Sequence, residues 1–406
     1  MERLIYDLVK DRPWLKDILK KCYQGIFSLA GRHKEYLPGD MVIRPNCFFG
    51  FHDKSPWSTD NSMLLAHRFV GLGNESESAT SPVDIVVFTG SDWSEVRTIA
   101  TTRAWNWQQG AQLQWKGDNI LFNDFVDGQC RAVEMDTSGN LIKIHPYAVA
   151  AVSSTDMAMA AFCFKHFGDV MPGYGYDFEG AAASSNIASD ALLIVDQANN
   201  VEAQIEGDTL PPIVLDETLR GTPFISHALF SPSGSKLAFM RRLAVPGRRR
   251  RSALFIIDRD TGAVARVPFK DMVSHFCWLG NNALFAYANT DNGDGYYHYQ
   301  CDSDALTPFS PVLGSVDGHP HADAAGKLIV FDTYPDKHRL QRLALLDIEN
   351  STVSELARPY SPMKFWGNKR VDLHPRIRPD GEYVCVDCST NGVRSLATLP
   401  VRKGHL

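Results

Sequence analysis

Apolar residues near the start of the chain recur at helical spacing. Ile5, Leu8 and Val9 form one run, and Trp14, Leu15, Ile18, Leu19, Tyr23, Ile26 and Phe27 a second. Steps of three and four put each run on one face of a 3.6-residue helix. Pro13 divides them, because proline cannot donate to the ladder behind it. Beyond residue 40 the period shortens. Brief alternating runs are bounded by Gly, Asn, Asp, Ser and Pro, which predicts strands and tight turns.

The strands repeat as a unit: a strand, a polar turn, an apolar strand, then a second hairpin. The first turn is seen in Ser231-Pro232-Ser233-Gly234, Gly280-Asn281-Asn282, Ala324-Ala325-Gly326 and Arg378-Pro379-Asp380-Gly381, and seven times in all. The second hairpin is also found seven times, with strands at 83–88, 130–135, 191–195, 253–257, 295–299, 342–346 and 395–399. Units of this kind cannot each bury two sheet faces alone and pack radially around an axis. The reading is an all-β, seven-bladed β-propeller over residues 39–406 behind a helical N-terminal arm over residues 1–38. Residues 165–187 and 358–370 exceed the repeat, and long loops on a rigid scaffold are where binding sits.

The arm carries Lys10, Lys16, Lys20 and Lys21 among its apolar positions. It reads as a helix packed on the propeller or as an anchor resting on a membrane or partner surface. The net charge of −6 lacks the basic footprint of a nucleic-acid binder. Neither a signal-peptide stretch nor a run of eighteen apolar residues is visible, so a cytoplasmic protein without a transmembrane span is expected. Of the eight cysteines, Cys385 and Cys388 stand three apart in a strand, which turns them to opposite faces as buried thiols. The Arg248–Arg251 run reads as a solvated hairpin tip, and 291–295 as a turn.

Aligning the blades on the first turn exposes a register. His227, His275, His319 and His374 each lie seven residues before the turn positions Gly234, Asn282, Gly326 and Gly381. His52 falls near the same place in the first blade. The first strand of each blade lines the axis, so equivalent positions form a ring, as a divalent metal or polyanionic substrate requires. His321 shares a strand face with His319. Structural histidines bridging blades are the competing account.

The runs Val273-Ser274-His275-Phe276-Cys277-Trp278 and Asp317-Gly318-His319-Pro320-His321 resemble those of bacterial oligogalacturonate lyases, propellers of the TolB type. The run from Phe48 to Trp57, with Asp332-Thr333-Tyr334-Pro335-Asp336 and Asp372-Leu373-His374-Pro375-Arg376, is similar to uncharacterised propellers associated with surface-polysaccharide loci. The resemblance implies a manganese-type ion, or zinc, held by His275, His319 and His321. The family's base histidine falls near Met240-Arg241-Arg242, where this chain has arginine, and its glutamine ligand has no assigned counterpart.

The chemistry expected is β-elimination from a uronate in an acidic oligosaccharide or polysaccharide. It needs a neutralised carboxylate, a base for the adjacent proton and an acid for the leaving oxygen. Arg376 and Arg242 are the carboxylate grips considered. His227 and His374 are the bases, and Tyr174 and Tyr334 the acids. Trp105 and Trp107 read as alternating on one strand face, suited to sugar stacking or to packing between blades. His52, Gln109 and Tyr176 complete the substrate contacts. A non-catalytic scaffold for polysaccharide assembly and a glycan hydrolase or transferase are the other readings.

Overall fold

A computed structural model describes residues 13–28, 34–70, 81–176, 187–214, 218–309 and 316–402. Twenty-eight strands form seven four-stranded antiparallel sheets. The second strand of a blade is short and largely buried, as in Leu328–Asp332, where four of five residues are buried. This matches the apolar runs that followed each first turn. Innermost strands include Thr222–Phe230 in blade 4, Val273–Trp278 in blade 5, His321–Ala322 in blade 6 and Arg376–Ile377 in blade 7. These first strands touch those of neighbouring blades, which places them around the axis.

Blade 7 is closed by the other end of the chain. Val42–Pro45 pairs with Ser395–Pro400 in the register Val42↔Thr398, so its outermost strand precedes blade 1 in sequence. Arg44 reinforces the closure, donating from Nη1 to Thr398 Oγ1 at 3.0 Å and from Nη2 to the Asp92 carbonyl at 2.6 Å. Joining the chain ends in one sheet makes the ring cooperative: no blade can peel away without breaking a ladder.

The arm is helical over Pro13–Phe27, with proline at its start, where the missing N–H costs nothing. The first expected helical run, Ile5 to Val9, lies outside the described residues. Tyr36 is not helical. It forms an antiparallel bridge with Arg358, because the chain must extend to reach blade 7. Among the described residues no helix is long and apolar enough to cross a membrane.

The blade 3 excess folds in part into a second short helix, Phe164–Val170, which buries Phe164 and Phe167. Residues 177–186 of that loop are outside the described set. Cys385 and Cys388 are both free and fully buried, and pack into different core clusters, as strand alternation requires.

Candidate active site

The register histidines reach the axis because the backbone is bent there. The pairing of blade 4 slips between Ser226 and Ala228, and that of blade 5 between Val273 and His275. Such bulges re-aim a side chain out of its normal alternation. His227 has φ +52° and His374 φ +41°, a region that side chains other than glycine seldom adopt. The strain is held in place by the surrounding sheet and turns both imidazoles inward.

The Phe48–Trp57 run supplies the centre of the ring. Backbone N–H groups of Phe49 and Gly50 donate to Asp387 at 2.9 and 3.0 Å. Gly50 has φ +117°, and a Cβ there would lie 2.8 Å from the Gln109 carbonyl carbon, so glycine is required. Phe51 then fills the axis. Its ring centroid is 4.5 Å from His52, 4.8 Å from His227, 5.0 Å from His374, 5.9 Å from His319 and 6.0 Å from His275. The His275 and His319 rings are 4.1 Å apart, and those of His319 and His374 4.4 Å. The five imidazoles expected to converge do so.

Most are oriented from behind. Asp317 Oδ1 lies 3.1 Å from His275 Nδ1. Asp332 Oδ1 accepts from the His319 backbone N–H at 2.7 Å and lies 2.8 Å from its Nδ1. Gly318 permits this approach: a Cβ would meet the Asp332 carbonyl oxygen at 1.9 Å. His52 Nδ1 lies 2.7 Å from the Pro320 carbonyl. Fixing Nδ1 directs the other nitrogen, the arrangement seen behind metal-binding imidazoles.

Several buried polar atoms around the axis lack partners, and three of them matter for a ligand set. His319 Nε2, His374 Nε2 and Asp372 Oδ1 are all buried and unbonded. Among the described residues, these same three side chains form the one group of metal-binding type with ligand atoms within 4.8 Å of one another. Unpartnered polar atoms on three side chains that also bring ligand-type atoms together make this cluster the candidate for a bound ion. Two imidazoles and a carboxylate suit a divalent first-row ion.

Of the expected set of His275, His319 and His321, His319 belongs to this group, which Asp372 and His374 complete. His275 remains a neighbouring ring. His321 is drawn away, its Nδ1 accepting from the Ile377 N–H on the next blade at 3.2 Å, because strand pairing at His321–Ala322 turns it toward blade 7.

Above the ring opens a cavity of about 670 Å³, walled by both loops that exceed the repeat. Tyr174, His227, Arg242, His275, Tyr334 and Asp372 line it. Arg242 is 8% exposed and has no carboxylate partner among the described residues. Its Nη2 meets Met240 Sδ at 3.0 Å and the Ser274 carbonyl at 3.4 Å, its Nη1 meets Met171 Sδ at 4.0 Å, and its Nε is unpaired. Thioethers are weak acceptors, so the buried cation is poorly compensated. Burial, with Arg250 nearby, pulls its pKa down to about 10. Arg250 stands exposed at the cavity wall, whereas Arg249 and Arg251 turn toward Asp271. The four-arginine run is thus only partly a solvated tip.

Electrostatics divides the ring. Burial, then Arg242, holds His227 well below the ordinary imidazole range. Burial also lowers His52, His275 and His374. Burial opposes protonation of His319 too, but the carboxylates of Asp332, Asp372 and Asp317 outweigh it and raise its pKa. Asp372 is kept ionised against burial by Arg370, whose Nε donates to it at 2.6 Å. The Tyr174 hydroxyl accepts from Arg370 Nη2 at 2.6 Å. Burial pushes Tyr334 well up.

Other expected contacts lie elsewhere. Arg376 is fully buried in an ion pair with Asp387 at 2.9 Å and stacks on Phe49. Its carboxylate is internal, so it positions the Phe49-Gly50 turn and does not line the cavity. Trp105 and Trp107 do not alternate along a strand. They flank a turn closed by the Asn106–Gly110 bridge and meet edge to face at 5.0 Å within the blade core. Tyr176 stacks on Phe164 at 5.0 Å and accepts from Asn123 at 2.9 Å, and Gln109 bonds Gln112 at 3.1 Å. All four are packing residues here. The sequence reading assigned no role to Asp372, Arg370 or the backing carboxylates Asp317 and Asp332. Asp372, two residues before a register histidine, carried the one local signal.

No protein-family model and no curated protein matches the sequence. Solved structures do. An oligogalacturonate lyase in complex with manganese aligns with a TM-score of 0.60 at 15% identity, covering 90% of this chain and 92% of that one. The oligogalacturonate lyase of Vibrio parahaemolyticus aligns at 0.56 with 11% identity, covering 91% and 93%. The likeness is one of fold. It extends over the whole propeller of these lyases, and at such identities it assigns no chemistry to this chain.

Proposed function

We propose that this protein is a metal-assisted lyase that cleaves uronate-containing oligosaccharides or polysaccharides by β-elimination, in the metabolism of a cell-surface polysaccharide. The observation that carries the reading is that His319, Asp372 and His374, each with an unpartnered buried polar atom, bring ligand-type atoms within 4.8 Å of one another beneath a cavity whose wall holds a poorly compensated arginine. The manganese complex of the structurally similar lyase supports the same reading.

His319, His374 and Asp372 would hold the ion. When bound, a divalent cation such as manganese or zinc supplies Lewis acidity that offsets the uronate carboxylate and the charge growing beside it. Arg242 donates to that carboxylate, exchanging thioether contacts for charge-assisted hydrogen bonds. His227 accepts the proton from the carbon next to the carboxylate. Its Nδ1 has no partner, and its depressed pKa keeps the ring neutral at pH 7. The electron pair of that C–H bond forms the new carbon–carbon double bond as the glycosidic C–O bond breaks. The leaving oxygen takes a proton from Tyr174 or Tyr334, both on the cavity wall. Tyr174 only accepts from Arg370, so its own proton remains available. His374 is withdrawn as a base because its free nitrogen belongs to the ligand set.

The test is incubation of metal-loaded protein with a panel of uronate oligosaccharides. Expected is an ultraviolet-absorbing unsaturated product, lost on chelation and restored by metal. Cleavage without unsaturation would support the hydrolase reading. No cleavage of any substrate by metal-replete protein would sink the lyase and favour the scaffold.

A further inference from the structure

The helix Pro13–Phe27 meets the propeller with its polar side. Gln24 is 2% exposed and donates from Nε2 to the carbonyl oxygens of Pro335 and Asp336, each at 2.7 Å. It accepts from Arg339 Nη1 at 2.9 Å. One turn away, Lys20 lies over the Tyr334 ring at 5.8 Å, and Asp17 accepts from Trp366 Nε1 at 3.3 Å. Positions 17, 20 and 24 are spaced three and four apart, so one polar stripe faces the propeller, with Phe27 meeting His338 at the helix end.

The opposite side is apolar and, among the described residues, uncovered. Trp14, Ile18, Leu19 and Ile26 are 62, 52, 43 and 73% exposed. An ordinary surface helix buries its apolar stripe and shows its polar one, and this helix does the reverse. An exposed apolar face on a short helix marks contact with something beyond the described residues.

Exposed lysines lie on the helix and on the propeller surface beside its Phe27 end. Lys21 is exposed on the helix itself. Lys34 reaches His338 at 3.5 Å, Lys337 sits 5.8 Å from the Phe27 ring, and Lys364 lies 5.0 Å from the ring of Phe365, whose carbonyl bonds Arg339. All four lysines are exposed on a chain whose net charge is −6. The exposed carboxylates nearby are engaged: Asp336 accepts from the backbone N–H groups of His338 and Leu340, and Asp17 from Trp366 Nε1.

The geometry points to this helix as an anchor on an anionic lipid surface. The apolar side enters the acyl boundary and the lysines meet headgroup phosphates, the pattern of an interfacial helix. A second copy is a poorer occupant, because a two-fold contact through this face would bring the same lysines opposite themselves. Asp17 and Lys20 also line the cavity, so an anchored helix holds the cavity mouth toward the bilayer.

The test is co-sedimentation of the full chain with phosphatidylcholine vesicles, with and without phosphatidylglycerol. Expected is pelleting with the anionic vesicles only, weakened at high salt. Ile18→Glu with Ile26→Glu should lower partitioning roughly tenfold or more. Melting temperature should hold, because both side chains are exposed. Lys21→Glu with Lys337→Glu should weaken binding to the anionic vesicles. Failure of the unaltered chain to pellet would overturn the proposal, as would equal pelleting of the isoleucine variant. Self-association that this variant abolishes, with vesicles ignored, would hand the face to a second copy.

Discussion

The seven blades share one repeat, yet two regions use it in opposite ways. Around blades 4 to 7, buried polar atoms at the axis are left open: His227 Nδ1, His319 Nε2, His374 Nε2, Asp372 Oδ1 and Arg242 Nε. At blade 2 a buried polar cluster is closed. His145 places Nε2 2.9 Å from Glu134 and Nδ1 2.7 Å from Asn199, while Lys116 and Asn119 reach Glu134 at 3.0 and 2.7 Å. Unsatisfied polar groups cost stability, and satisfied ones specify a packing. A repeat fold can therefore leave hydrogen-bonding capacity open at one cluster while a satisfied cluster elsewhere specifies the packing.

The largest effect expected from this contrast follows removal of an open group. His374→Ala should lower kcat/KM by about 10³-fold, the scale for losing a principal stabiliser of developing charge. It should also remove bound metal in elemental analysis, with little loss of melting temperature. If the variant unfolds while metal content holds, His374 is a structural histidine and the contrast fails.

The closed cluster should answer to pH instead. Burial raises the pKa of Glu134, but bonds from His145, Asn119 and Lys116 prevail and hold it at about 2. The folded pKa is depressed, so the stabilisation is complete above the unfolded value of about 4.5 and is lost as pH falls toward 2. It amounts to about 3 kcal/mol. Denaturant unfolding across that window checks this, and Glu134→Gln should flatten the slope. An unchanged slope would remove Glu134 as its source.

Arg242 sharpens the comparison from the open side. Arg242→Met should reduce kcat/KM about 10- to 100-fold, the worth of one charge-assisted contact. Stability should rise or stay level, because a buried guanidinium facing thioethers is replaced by an apolar chain. Activity and melting temperature moving down together would mean that the arginine holds the wall and not the substrate.

The sequence made the ring legible because its signals are periodic. Turn spacing gave the blade count, and alignment on those turns brought His227, His275, His319 and His374 into one register. What it hid was non-local. Nothing near Val42 indicates pairing with Thr398, because a four-residue strand carries no address for a partner so distant in the chain. His321 shares a strand face with His319, yet blade-to-blade hydrogen bonding captures it. Arg376 follows a register histidine, but its partner Asp387 comes from the next strand of the same blade, a pairing visible only once the strands are registered. Asp372 was within reach of the sequence. It is the carboxylate two residues before a register histidine, and only the reading of the run as a similarity motif left it without a role.

The smallest effect is expected at the tryptophans, where the sequence allowed both sugar stacking and packing. Trp107 is 6% exposed, lies against Phe69 at 5.8 Å and Trp105 at 5.0 Å, and gives its carbonyl to Arg394 at 2.9 Å. None of these neighbours lines the cavity. Trp107→Phe should cost about 1 kcal/mol of stability by loosening the core. KM for a cleaved oligosaccharide should stay as it was, because no ring face is open to a sugar. A raised KM with unchanged stability would put substrate against blade 2, and the division between an open side and a closed side would have to be redrawn there.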